Sequence, residues 1–138
     1  MFMSVKLLKV PVPEELPFEL YTSKRKLNYT TAYTYSKFYK IGNLISFVIM
    51  WKGVINEAGE MSYINVPKIK SNPPAVNTSI NVSEFTGCID WGVANVFGQI
   101  TSDGGLGIYT NEGAAIGNWK KNNGTEQYLK LSGTYICK

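Results

Sequence analysis

The fold is decided by Thr31-Ala-Tyr-Thr-Tyr-Ser-Lys-Phe-Tyr-Lys-Ile-Gly-Asn-Leu-Ile-Ser-Phe-Val-Ile-Met-Trp-Lys-Gly-Val54. Gly42-Asn43 separates two runs rich in aromatic and β-branched residues, the signal of a β-hairpin closed by a two-residue primed turn with glycine at the positive-φ position. That turn sets the register: Ile41 faces Leu44, Phe38 faces Phe47, Ser36 faces Ile49 and Thr34 faces Trp51, a surface of small partners against large ones that reads as a core face. The opposite surface carries Tyr39, Lys37, Tyr35 and Tyr33 against Ser46, Val48, Met50 and Lys52, a mixture that need not be buried.

Working outward, 138 residues suffice for one domain with a core of its own. Aromatic residues at 13% and thirteen glycines, against 17% charged residues, favour strands and turns. The fold class is all-β. Val10-Pro11-Val12-Pro13-Glu14-Glu15-Leu16-Pro17 is too proline-dense for a helix and suits an extended arm, so residues 1–23 read as an N-terminal arm or linker and 24–138 as the domain. One short helical turn fits within Glu14 to Tyr21. From Tyr29 to Tyr39 the odd positions give a strand with one aromatic face. Such a face is either a stacking platform for sugars or bases, or cross-strand packing or a subunit contact.

Further strands are expected over Met61 to Val66, stopped by Pro67, then Ser79 to Val82, Gly87 to Trp91, Val93 to Ser102, Leu106 to Thr110 and Tyr128 to Ile136. Ser71-Asn72-Pro73-Pro74 marks a loop. A three-residue loop at Asp103-Gly104-Gly105 pairs Ile100 with Ile108 and Gln99 with Tyr109. About eight short strands with turns every ten residues or so have the spacing of an antiparallel β-sandwich or jelly roll.

The chemistry is spare. There is no histidine, which removes the Ser-His-Asp and Cys-His arrangements and histidine-based zinc sites. Glu57, Glu60, Glu84, Asp103 and Glu112 fall in turns or loops, with only Asp90 inside a strand-like run, so no carboxylate pair is placed for glycosidase work. No Asp-x-Asp-x-Asp calcium loop occurs. The expectation is a protein that is not an enzyme, with no catalytic residues, no metal and no cofactor. The net charge of +4 is scattered, and its one dense cluster, Lys24-Arg25-Lys26, reads as a solvated loop rather than a nucleic-acid track. Met1 to Lys9 has no signal-peptide pattern, and no run approaches the ~20 apolar residues of a membrane span. Cys88 and Cys137 match no zinc or redox spacing and are either buried thiols or one bridge; assembly in a reducing cytoplasm would leave them free.

Phe38-Tyr-Lys-Ile-Gly-Asn-Leu-Ile45, Ile64-Asn-Val-Pro67, Gly98-Gln-Ile-Thr-Ser-Asp-Gly-Gly-Leu-Gly-Ile-Tyr109 and Leu131-Ser-Gly-Thr-Tyr-Ile136, in that order, resemble the C-terminal β-sandwich domain of tail-tip, baseplate and tail-fibre proteins of bacteriophages and prophages. The likeness covers roughly residues 30 to 136 through short motifs. It implies a jelly-roll-like head, usually trimeric, built into the virion after assembly in the bacterial cytoplasm beside other tail proteins, and in many members binding saccharides of the host cell wall. The long shaft of the fuller pattern is missing, so either the chain is a fragment or its arm from Met1 to Ser23 does the attaching. A free-standing carbohydrate-binding module, a complement-like trimeric jelly roll and, behind both, an OB-type nucleic-acid binder are the alternatives. A homotrimer would cover the Tyr33, Tyr35, Val48 and Met50 face. For a saccharide, which needs flat apolar faces beside short polar groups, the candidates are Trp119, Asn118 and Tyr109, with Trp91 and Asp90 second. Trp119 read as a core plug is the competing assignment.

Overall fold

A computed structural model describes residues 11–59, 62–86, 96–110, 119, 121 and 124–138. The central hairpin is β3 (Tyr29–Ile41) and β4 (Leu44–Ile55), and every pair expected from the Gly42-Asn43 turn is present, from Ile41↔Leu44 to Thr34↔Trp51. Gly42 has φ +56° and no residue other than glycine has positive φ among the described residues, so only the first turn position is left-handed, as a type II′ turn requires. In β4 the alternation is strict: Ile45, Phe47, Ile49, Trp51 and Ile55 are buried, with the residues between them more exposed.

Two positions assigned to the core face lie elsewhere. Ile41 and Leu44 are 57% and 41% exposed, because the step from Ile45 to Leu44 crosses to the outer surface. Thr34 shares the inner face with Trp51 but is exposed near the free side of β3. The tyrosine alternation also breaks. The register shifts between Thr31 and Tyr33, so Ala32 is an extra residue, and the bulge turns Tyr29 inward while Tyr33, Tyr35 and Tyr39 stay outside. Tyr29 packs edge-on against Trp51 with ring centroids 5.6 Å apart.

The other elements are β1 (Glu14–Glu15), β2 (Glu19–Thr22), β5 (Ser62–Asn65), α1 (Pro67–Ser71), β6 (Thr78–Thr86), β7 (Val96–Ile100), β8 (Leu106–Thr110) and β9 (Gln127–Ile136). These nine strands pair in one antiparallel sheet, in the order β1-β3-β4-β9-β6-β7-β8-β5-β2. The all-β class is therefore as expected, and the strands form a single curled sheet. β6 provides much of the curl: Thr78 to Ile80 pair with β7, whereas Asn81 to Thr86 pair with β9 across a bulge at Ser83. The outermost strands, β1 and β2, are consecutive in the chain and separated only by Leu16-Pro17-Phe18. So short a connection holds the two edges of the sheet close together.

That seam corrects the reading of the first residues. Residues 14–22 are extended rather than helical and form both edge strands, and Leu16, Phe18 and Leu20 join the same core cluster as Trp51 and Leu129. The domain thus takes in a stretch assigned to the arm. Pro67 does end β5, but it also opens α1, where a proline has no N–H to lose, and Ile69 is buried beneath that turn. β6 runs through Ser83 to Thr86, where a break was expected, while Gly87 to Trp91 lies outside the described residues.

The β7–β8 hairpin pairs Ile100 with Leu106 and Gln99 with Gly107, not with Ile108 and Tyr109. The loop is three residues long, as expected, but is Ser102-Asp103-Gly104. The Thr101 N–H donates to the Gly105 carbonyl at 2.9 Å and Gly104, at φ +85°, supplies the left-handed third position. The loop therefore sits one residue earlier than expected, with Gly104 rather than Gly105 in the position that needs glycine's conformational freedom.

Candidate functional site

The outer surface of β2, β5, β8 and β7 carries aromatic rings on either side of a gap. Successive β8 side chains alternate, so Leu106 and Ile108 enter the core while Gly107 and Tyr109 face outward. Tyr63, outward on β5, stacks on Tyr21 of β2 with centroids 5.5 Å apart and planes 21° apart; Tyr109 stacks on Phe97 of β7 at 5.6 Å and 25°. Between the two stacks is Gly107, whose missing side chain leaves the Tyr109 ring lying over the backbone.

The gap opens into a cleft of about 480 Å³ lined by Tyr63, Asn65, Lys70, Thr101, Asp103 and Tyr109 among others. The hairpin tip forms one end. Gly104 is pressed onto α1 so closely that a Cβ there would stand 2.6 Å from the Lys70 Cα. The Asp103 carboxylate accepts from the Thr101 hydroxyl and from the Gly105 N–H at 3.3 Å. Both bonds go to Oδ1, and Oδ2 has none among the described residues. The Thr101 hydroxyl, then the Gly105 amide, with the Lys70 charge a smaller influence, hold the Asp103 carboxyl below the usual aspartate value, so it is ionised at neutral pH. The cleft thus combines two tyrosine rings with a carboxylate acceptor, an ammonium donor, an amide and a hydroxyl.

Of the residues proposed from sequence, Tyr109 lines this cleft. Trp119 does not: it is 0% exposed, donates its indole N–H to the Tyr21 carbonyl at 3.1 Å and meets Phe85 edge-on at 5.5 Å. A ring enclosed on both faces cannot stack on a ligand, so Trp119 is the core plug of the competing assignment. Asn118, Trp91 and Asp90 lie outside the described residues, as does Cys88; Cys137 is a buried free thiol. Tyr63, Gly107 and Asp103 were not picked out, although an outward glycine two residues before an outward tyrosine on one strand is a legible signal of a gap beside a ring.

Searches of family models, curated proteins and solved structures return no match. Among the described residues no group of three potential ligands is placed to hold a metal. Each described glutamate is ion-paired: Glu14 with Lys68, Glu15 with Lys37, Glu19 with Lys26, Glu57 with Arg25, Glu84 with Lys130 and Glu126 with Lys52. Asp103 is the one described carboxylate outside any ion pair. Two members of the Lys24-Arg25-Lys26 cluster are engaged in those pairs, Arg25 at 2.6 Å from Glu57. No helix among the described residues is long and apolar enough to cross a membrane.

Proposed function

We propose that this protein is an adsorption module of a phage tail or baseplate, and that it binds host cell-wall saccharide in the cleft between Tyr63 and Tyr109. One observation carries the binding reading: two outward tyrosines line one cleft, the Tyr109 ring laid over Gly107, with Asp103 and Lys70 at its end. Sugar rings present C–H faces that aromatic rings cover and hydroxyls that a carboxylate and an ammonium take as donor and acceptor. The virion setting rests on the likeness of the motifs to phage tail domains. Assembly as a homotrimer belongs to the same reading and is supported by the exposed Tyr33, Tyr35 and Tyr39 on the outer face of the hairpin.

Calorimetric titration of the protein with purified bacterial wall polysaccharides tests the binding. Tyr109→Ala and Asp103→Asn should each weaken it by roughly tenfold, the effect of about 1.4 kcal/mol, without lowering the melting temperature by more than a few degrees. Native mass tests the assembly. A monomer that binds only a simple glycan would favour a free-standing carbohydrate-binding module, and binding indifferent to both substitutions would remove the cleft from consideration.

A further inference from the structure

A second hollow, of about 260 Å³, lies at the seam where the edges of the curled sheet approach each other, walled by Leu16, Pro17, Phe18, Tyr29, Thr34 and Ser36. Ser36 is only 3% exposed, and its hydroxyl has no hydrogen-bond partner. A buried hydroxyl left unpaired is costly, so a group that reached it would gain a hydrogen bond that water does not supply. The lining is otherwise neutral. Glu15, at the rim, is engaged by Lys37.

The hollow adjoins an interrupted ladder. β1 pairs Glu14 with Phe38 and Glu15 with Lys37, and the Leu16 N–H still reaches the Ser36 carbonyl at 3.0 Å. Pro17, which has no N–H, stops the pairing, and the chain turns inward through Phe18 toward β2. Among the described residues, β3 has no strand partner on that side from Tyr35 back to Tyr29. In the Gly42-Asn43 hairpin the odd residues of β3 bond to β4, so the even ones direct their backbone groups the other way, as Ser36 does toward Leu16. Thr34 therefore presents both its N–H and its C=O at the open edge, while its side chain lines the hollow. The bulge at Ala32 ends the straight edge one turn of the pleat further on.

We propose that this seam docks an extended peptide segment. The segment lies antiparallel to β3 in line with β1, exchanges main-chain hydrogen bonds with Thr34, and inserts one uncharged hydrogen-bonding side chain to meet the Ser36 hydroxyl. The residue opposite Thr34 shares its face and so points into the hollow. Alternating donor and acceptor at strand spacing fit a peptide backbone rather than a sugar, and a neutral lining selects Asn, Gln, Ser or Thr over a charged side chain. The edge is too short, between Ala32 and Pro17, for the thirteen-residue β3 of a second copy to pair along its length. The site is separate from the tyrosine cleft and does not depend on the saccharide reading.

The probe is a set of acetylated and amidated tripeptides, X-Val-Thr, with X as Gln, Val or Glu, titrated into the full chain while the backbone amide NMR signals of Thr34 and Ser36 are followed; the place opposite Ser36 is already taken by Leu16, so the peptide starts opposite Thr34. The Gln peptide should shift both signals at up to millimolar concentration and bind about fivefold more tightly than the Val peptide, with the Glu peptide weakest. Ser36→Ala should reduce the Gln peptide to the Val level, a loss of about fivefold, and leave the fold intact. Thr34→Pro removes the edge N–H without touching the β4 ladder and should abolish binding of all three. Methylating the backbone nitrogen of X should do the same from the ligand side, and it decides the point if Thr34→Pro does not fold. Unmoved Thr34 and Ser36 signals, equal response to Gln and Glu, response to methyl glycosides in place of the peptides, or shifts that appear on concentrating the protein alone would each overturn the proposal.

Discussion

The Tyr109 ring lies across Gly107 so closely that a methyl group at residue 107 would stand 2.8 Å from the Tyr109 hydroxyl oxygen and 2.9 Å from Cε2. Any side chain there must lift the ring, part its stack on Phe97 and fill the gap. Gly107→Ala is therefore expected to weaken saccharide binding by about tenfold, with a change of only a few degrees in melting temperature because the position faces outward. Parallel calorimetry and thermal melts check both halves; unchanged affinity would mean the ligand does not use the gap.

Trp119 should behave in the opposite way. Fully enclosed and bonded to the Tyr21 carbonyl, it is a core residue whose truncation leaves a large cavity, and Trp119→Ala is expected to cost about 3–5 kcal/mol. Urea denaturation measures this directly. Loss of ligand binding with an unchanged unfolding midpoint would return the indole to the surface.

Gly42 and Gly104 separate conformational strain from crowding. Both have positive φ, but a Cβ at Gly42 meets nothing within 4 Å, whereas at Gly104 it meets the backbone of Lys70 at 2.6 Å and of Ile69 at 3.1 Å. Gly42→Ala should cost roughly 1–2 kcal/mol, and Gly104→Ala roughly 2–5 kcal/mol, because overpacking against backbone that cannot yield adds to the same dihedral penalty. Chemical denaturation of the two variants side by side tests the difference; equal costs would mean that α1 gives way.

What could be read from the sequence was whatever two adjacent segments settle between themselves. Gly42-Asn43 sets a register, and the alternation of β4 then fixes which of its residues enter the core. The bulge at Ala32 was hidden because Tyr29 to Tyr39 alternates without a break, and the extra residue shows only against the partner strand. Ser83 is hidden likewise: β6 continues through it because β9 pairs on the far side. Trp119 could not be assigned from its neighbours, since what encloses it comes from Tyr21 and Phe85, far away in the chain. The cleft was beyond local reading for the same reason. It exists because β5 lies beside β8 at Ile64↔Leu106, a pairing that no turn between them specifies.

Alkaline pH should expose the buried end of β9. The Tyr135 hydroxyl donates to the Asn72 carbonyl at 2.8 Å, and burial, with Cys137 nearby, pushes its pKa up to about 12 from the ordinary 10.0. The native state thus holds its proton where the unfolded chain has lost it. This contribution to stability is complete below pH 10.0 and is lost as pH rises toward about 12. Tyr29, raised chiefly by burial, acts in the same sense. Denaturation midpoints should fall over that interval, and less steeply in Tyr135→Phe. An identical slope in the variant would assign the alkaline loss to other groups.

The three residues between β1 and β2 make the molecule mechanically lopsided. Tension applied through Glu14 acts on a strand held by two residue pairs, Glu14↔Phe38 and Glu15↔Lys37; once these part, it reaches Leu16 and Phe18 and draws them out of the seam. Tension applied through Ile136 acts on a strand gripped on one side by β4 from Leu44 to Gly53 and along part of the other by β6. Pulled from its first strand, the sheet unrolls from its edge in small steps. Pulled from its last, it must shear through the middle, so the two ends of one compact sheet serve as a release and an anchor.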